Sequence, residues 1–235
     1  MKKKWVLFLV IAGVMLAAGV YLLYRAYYSA DSRTRVVFEF LRRSGSHDDL
    51  VSDTLSRCGD APFVMPTRGM IGFLWDDSFR PGHHHQGIDI FAGTRAGETP
   101  VYAAHDGYLT RLPDWKATVI IRIPSDPLAP GRQIWTYYTH LADERGNSFI
   151  SDEYPPGTKE VFVSAGTLLG YQGNYSGSPG NPTGVHLHFS IVKDDGEGMF
   201  LNELDIRNTI DPSPYFGLAL NGKQNRDQIP ICAER

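Results

Sequence analysis

The sequence predicts a mainly β, turn-rich domain behind an apolar N-terminal segment. Three observations predict it. The 235 residues include 24 glycines and 15 prolines, and 12% are aromatic, the composition of short strands joined by turns. Long stretches of helical apolar periodicity are few. Several short segments instead alternate apolar and polar residues with period two. The length suits one domain with a sizeable core plus extras. A net charge of -3 offers no basic excess, so no nucleic-acid partner is expected.

Residues 1–24 read as a targeting element. Lys2, Lys3 and Lys4 precede an uncharged apolar run of 20 residues, Trp5 to Tyr24, enough to span a bilayer as a helix. The lysines place the N-terminus in the cytoplasm and the remainder outside it. The expectation is a single-pass cytoplasmic membrane protein with its main domain on the extracytoplasmic side. A cleaved signal peptide fits less well. Its apolar core would be shorter, and Tyr28-Ser29-Ala30 puts a large residue at the first small position. Trp5, Arg25, Tyr27 and Tyr28 are expected near the membrane interfaces.

Residues 25–57 read as a partly helical stalk or packing arm. Val36, Val37, Phe38, Phe40 and Leu41 form an apolar patch, and a second short helix is expected over 48–55, capped by Ser46. Asp48 and Asp49 suit its first turn, where acids favour the helix dipole. Cys58 and Cys232 are the only cysteines. An even count in an exported chain predicts a disulfide. Closing so long a loop stabilises by roughly 4–5 kcal/mol in the chain-entropy model. It would tie a tail, 218–235, to the entrance of the main domain, 58–217.

Within that domain 97–140 is a meander. Pro100 to Ala104, Tyr108 to Leu112, Ala117 to Ile123 and Gln133 to His140 are its strands, with a tight turn at Asp106-Gly107. Alternation places Ile134, Thr136, Tyr138 and His140 on one face. The excursion from Asp143 to Val161 starts three residues after His140, so it is expected to border any cleft there. Loops of this size are often functional.

The chemistry concentrates in Gly184-Val185-His186-Leu187-His188-Phe189-Ser190. Val185, Leu187, Phe189 and Ile191 face a core, while His186 and His188 share the other face. Imidazole is both a common zinc ligand and the usual general base near neutral pH. The pair is two ligands, one ligand and one base, or two solvated histidines on an edge strand. A second constellation, His85-Gln86-Gly87-Ile88-Asp89, argues against the last. His85 and Asp89 share a face, with Gly87 expected to leave room for an ion. His85, Asp89 and one histidine of the strand pair make three ligands with a fourth position for water, the plan of a catalytic zinc site. His83 and His84 lack the glycine and aspartate at +2 and +4 and are expected at the rim. No His-Glu-x-x-His helix and no Gly-x-Ser-x-Gly elbow is present.

These paired motifs resemble those of the lysostaphin-type (LytM-like) zinc metalloendopeptidases, which cut peptidoglycan peptides. The resemblance covers roughly residues 68 to 216. Weaker agreement comes from Thr99 to Ala104, Asp106-Gly107, Gly166 to Gly170 and Asp211-Pro212. It implies an antiparallel, β-sandwich-like domain with an open cleft. It implies His85, Asp89 and His188 as ligands of one Zn2+, with His186 catalytic. A further catalytic histidine falls on His140, in Tyr138-Thr139-His140-Leu141. Tyr138 is expected to pack, with oxyanion stabilisation as the alternative.

The implied activity is zinc-dependent hydrolysis of peptidoglycan stem peptides or cross-bridges. Family members that lack ligands bind or activate other wall hydrolases, so a silent module is the alternative; here all five positions are filled. A third reading is a zinc peptidase acting on protein, because no wall-binding repeat is visible. Envelope partners are not specified by the sequence.

Overall fold

A computed structural model describes residues 2–29, 32–78 and 82–232. In chain order the strands are β1 Met70–Phe73, β2 Ile88–Phe91, β3 Pro100–Tyr102, β4 Gly107–Thr110 and β5 Val119–Ile123. They continue with β6 Ile134–Thr139, β7 Val161–Val163, β8 Leu168–Tyr171, β9 Leu187–Lys193 and β10 Thr209–Ile210. Eight form one antiparallel sheet in the order β1-β2-β9-β6-β5-β4-β7, with β10 also on β9. β3 and β8 pair separately. The mainly β, antiparallel expectation holds. The sandwich expectation is corrected to one large sheet partly covered by a two-stranded one.

Alternation explains the core. Ile88, Ile121, Leu187 and Phe189 of the large sheet join Val101 and Leu169 of the small one in a single buried cluster. Each such side chain contributes about 1.5–3 kcal/mol on leaving water. Residues between them in sequence face the opposite side of the sheet, where the cleft lies.

Helix α1 spans Lys2–Ser29. Its described side chains stop at Leu22 and leave gaps at Val6, Leu7 and Val10, and those of Arg25, Tyr27 and Tyr28 lie outside the described residues. Among the described residues no helix is long and apolar enough to cross a membrane. The membrane span expected over 1–24 is therefore not supported by the fold.

Helix α2, Ser32–Arg42, is amphipathic. Val37 and Phe40 pack on Met70, Phe91 and Ile229 in a second buried cluster. Arg33 is 2% exposed and pairs with the buried Asp77 at 2.6 Å. Its guanidinium also donates to the Asn225 carbonyl. The helix expected over 48–55 is replaced by a 3-10 segment, Ser44–Leu50. Ser52 instead exchanges backbone hydrogen bonds with Gly69 at 2.9 and 3.0 Å, which draws the chain into an extended form.

The Cys58–Cys232 disulfide is present. The tail it closes also pairs through backbone, with Trp75 N–H donating to Leu220 and Gly222 N–H to Trp75. A short helix α3, Ser213–Phe216, buries Tyr215 and Phe216 in the main core.

Candidate metal centre

Strand register builds the site. Asp89 pairs with His188, and His188 pairs with Thr139. Directly paired residues project to the same face, so these three lie in one row across β2, β9 and β6. His186 enters the same face two residues before His188. His85 precedes β2 and is fixed by its own backbone. Its N–H donates to Asp77 and its carbonyl accepts from Asp76, each at 2.8 Å.

Three ligand atoms converge. Asp89 Oδ1 lies 2.8 Å from His188 Nδ1 and 3.1 Å from His85 Nε2, and the two nitrogens are 3.1 Å apart. Tetrahedral zinc with bonds of about 2.0–2.1 Å would set ligand atoms roughly 3.3 Å apart. The trio could hold a metal ion with shifts of a few tenths of an ångström, about 0.2–0.5 Å. The tautomers suit it too. His85 Nδ1 faces the Leu74 carbonyl at 2.9 Å. A carbonyl only accepts, so the proton sits on Nδ1 and Nε2 offers its lone pair.

The electrostatics are those of a cation site. Burial alone would raise Asp89, but His85, His186 and His188 outweigh it and hold the carboxyl well below its usual range. Burial alone would lower His188, yet Glu203 and Asp89, one on each ring nitrogen, hold it up at about 10. The same histidine depresses Glu203 against the effect of its burial.

Two further imidazoles flank the trio. The His140 and His186 rings lie 4.5 Å apart, and His140 is 6.1 Å from His188. Burial, reinforced by neighbouring histidines, pushes His140 down to about 3. Burial also lowers His186, against the pull of Asp89. Each Nδ1 faces a backbone carbonyl: Tyr175 at 2.6 Å for His140 and Gly184 at 2.7 Å for His186. Burial holds both rings neutral, so each Nδ1 carries the proton given to its carbonyl and each Nε2 is the acceptor. Phe91 stacks on His186 with centroids 5.0 Å apart.

The structure thus gathers His85, Asp89, His140, His186 and His188 into one cleft of about 880 Å³. Two sequence expectations need correction, the face of His140 and the role of Gly87, while Tyr138 packs as expected. Tyr138 is not in the cleft. It is fully buried on the core face, where its hydroxyl accepts from Ala104 N–H at 2.9 Å. His140 escapes the Tyr138 face because its φ is +71°, a left-handed turn that breaks the alternation. Gly87 does not make room for an ion. A Cβ there would lie 2.1 Å from the Phe189 carbonyl oxygen, so the glycine permits close approach of β9.

The 143–161 excursion does not itself line the cleft but borders it at Gly146, where a Cβ would lie 3.0 Å from Lys116 and 3.1 Å from Tyr175 of the cleft wall. Ile150 and Tyr154 are buried in the main core and draw it onto β8, where Ser151 N–H donates to Leu169 and Tyr171 N–H to Phe149. His84 does sit at the edge, 2.5 Å from Asp76.

The cleft also contains residues the sequence did not announce. Phe38 and Leu41 of α2 form part of one wall, Lys116 and Tyr175 part of another, and Glu203 lies against His188. No periodicity marks Glu203, which sits in a loop beyond a polar turn.

Neither a family model nor a curated protein matches the chain. Among solved structures it is similar to the catalytic domain of lysostaphin from Staphylococcus simulans. Identity is 18%, coverage 67% of this chain and 93% of that one, and the TM-score 0.39. It is similar to Csd3 from Helicobacter pylori at 20% identity, covering 60% of this chain, with a TM-score of 0.38. There it spans only 33% of the relative's length. A mutant catalytic domain of the prophage-encoded M23 protein EnpA from Enterococcus faecalis is similar at 22% identity. Coverage is 63% of this chain and 95% of that one, with a TM-score of 0.38.

Proposed function

We propose that this chain is a zinc-dependent endopeptidase that hydrolyses peptide bonds in peptidoglycan stem peptides or cross-bridges. One observation carries the reading. Three ligand atoms of His85, Asp89 and His188 meet within 2.8–3.1 Å, beside two neutral imidazoles in an open cleft.

Zinc, when bound, would supply Lewis-acid polarisation of a scissile carbonyl and a water of lowered pKa. The chain supplies the rest. His85, Asp89 and His188 are the ligands. His186 or His140 would accept the proton of the attacking water at Nε2 and return that same proton to the leaving amine. The carbonyls of Gly184 and Tyr175 keep both rings in the acceptor tautomer. Phe91 shields one face of His186 from water.

The peptidoglycan substrate rests on the motif resemblance. The membrane anchor rests on the uncharged run Trp5–Tyr24 and on the exposure along α1 of Phe8, Leu9, Val14 and Leu16, each above 60%. Apolar surface of that extent requires cover. Such an anchor, with Lys2 to Lys4 on its cytoplasmic side, would leave the cleft on the extracytoplasmic side.

The test is zinc content and release of cleaved muropeptides by the full chain, beside His188→Ala. Stoichiometric zinc and peptide release, both lost in the variant, is the expected result. Zinc without release from muropeptides would shift the reading to a silent module or a protein substrate. No zinc in the wild type would overturn it.

A further inference from the structure

Glu203 has no role in the mechanism above, yet its side chain is only 11% exposed, and its Oε1 lies 2.9 Å from His188 Nε2. That nitrogen is the one turned away from Asp89 and His85. The loop carrying it is fixed locally. Leu201 N–H donates to Lys193, Leu204 N–H to Asn202 Oδ1, and the Gln86 amide to the Leu204 carbonyl at 3.1 Å. Gln86 adjoins His85, so the loop and the metal-facing segment hold each other.

We infer that Glu203 is a positioning residue that holds the proton of His188 on Nε2, orients the ring, and leaves Nδ1 to face a zinc ion. A carboxylate only accepts, so the tautomer is set by chemistry as well as by contact. A carboxylate behind a ligating imidazole also raises its basicity, and removing such a partner weakens metal affinity by roughly 10–100-fold. This rests on the zinc reading above.

The experiment compares the full-length wild type with Glu203→Ala and Glu203→Gln. Zinc dissociation constants come from competition with a chromophoric chelator, and the His188 tautomer from ring 15N shifts of the zinc-loaded protein. Expected are a roughly 10–100-fold weaker constant in Glu203→Ala, a smaller loss in Glu203→Gln, whose amide oxygen still accepts, and an Nε2–H signature that blurs only in the alanine variant. Should Glu203→Ala fail to fold by circular dichroism, the glutamine variant carries the comparison against wild type. Equal affinity and an unchanged tautomer in the variants overturn this inference alone. A wild type that takes up no zinc overturns the proposed function with it.

Discussion

His188 Nδ1 lies 2.8 Å from Oδ1 of Asp89, its direct register partner on the neighbouring strand. In the metal-free chain the proton on that nitrogen occupies the place where a cation would sit. With His188 held at about 10, zinc uptake at pH 7.5 should expel about one proton. Titration calorimetry in buffers of different ionisation enthalpy should give a slope near one. A slope of zero would mean that His188 is already neutral. The linkage sign follows from the raised value. The stabilisation of the metal-free fold is complete below pH about 6.5 and is lost as pH rises through about 10.

Metal holding and proton transfer should separate by mutation. His140→Gln should keep its zinc and lose about 10²–10⁴-fold in kcat. Asp89→Ala should lose both. Because His140 is depressed to about 3, its protonation should not produce an acid limb between pH 7 and 5. A kcat profile that falls tenfold per unit across that range in the wild type, but not in the variant, would contradict this.

Gly87→Ala should damage the fold more than its size suggests. The added carbon would meet the Phe189 carbonyl oxygen at 2.1 Å and push β2 from β9. A cost of about 1–3 kcal/mol or more is expected, read as a lowered thermal midpoint with weaker zinc binding. An unchanged midpoint would show that the two strands separate freely there.

Phe38→Ala tests whether α2 is part of the substrate cleft. Phe38 is 51% exposed, so stability should move by no more than about 0.5 kcal/mol. KM should rise with kcat little changed, the mark of lost uniform binding. Val37→Ala, one residue earlier and fully buried, should instead lower stability. Equal KM values for Phe38→Ala and wild type would remove α2 from the binding surface.

Much of this site was legible in the sequence because strands repeat every two residues. Leu187 and Phe189 had to be buried, so His186 and His188 had to face away, and the spacing of His85 and Asp89 supplied the rest. The same rule failed one residue past the end of β6. A single left-handed residue, His140, moved its ring to the opposite face from Tyr138. Glu203 was illegible for a different reason. Its partner is 15 residues away, across the end of β9 and an irregular loop, and no period connects them. The cleft wall from α2 was hidden likewise, since an apolar patch does not name the surface that covers it.

The docking of α2 also bears on where the protein can be cut. A piece starting at Cys58 would keep every strand and all five histidine and aspartate positions of the site. It would also strip the cover from Met70 and Phe91 and leave Asp77 buried without Arg33. Phe91 lies against His186, and the Asp77 backbone holds His85, so both losses would propagate inward. The smallest fragment that preserves the catalytic geometry therefore begins at Ser32, some 26 residues ahead of the first cysteine.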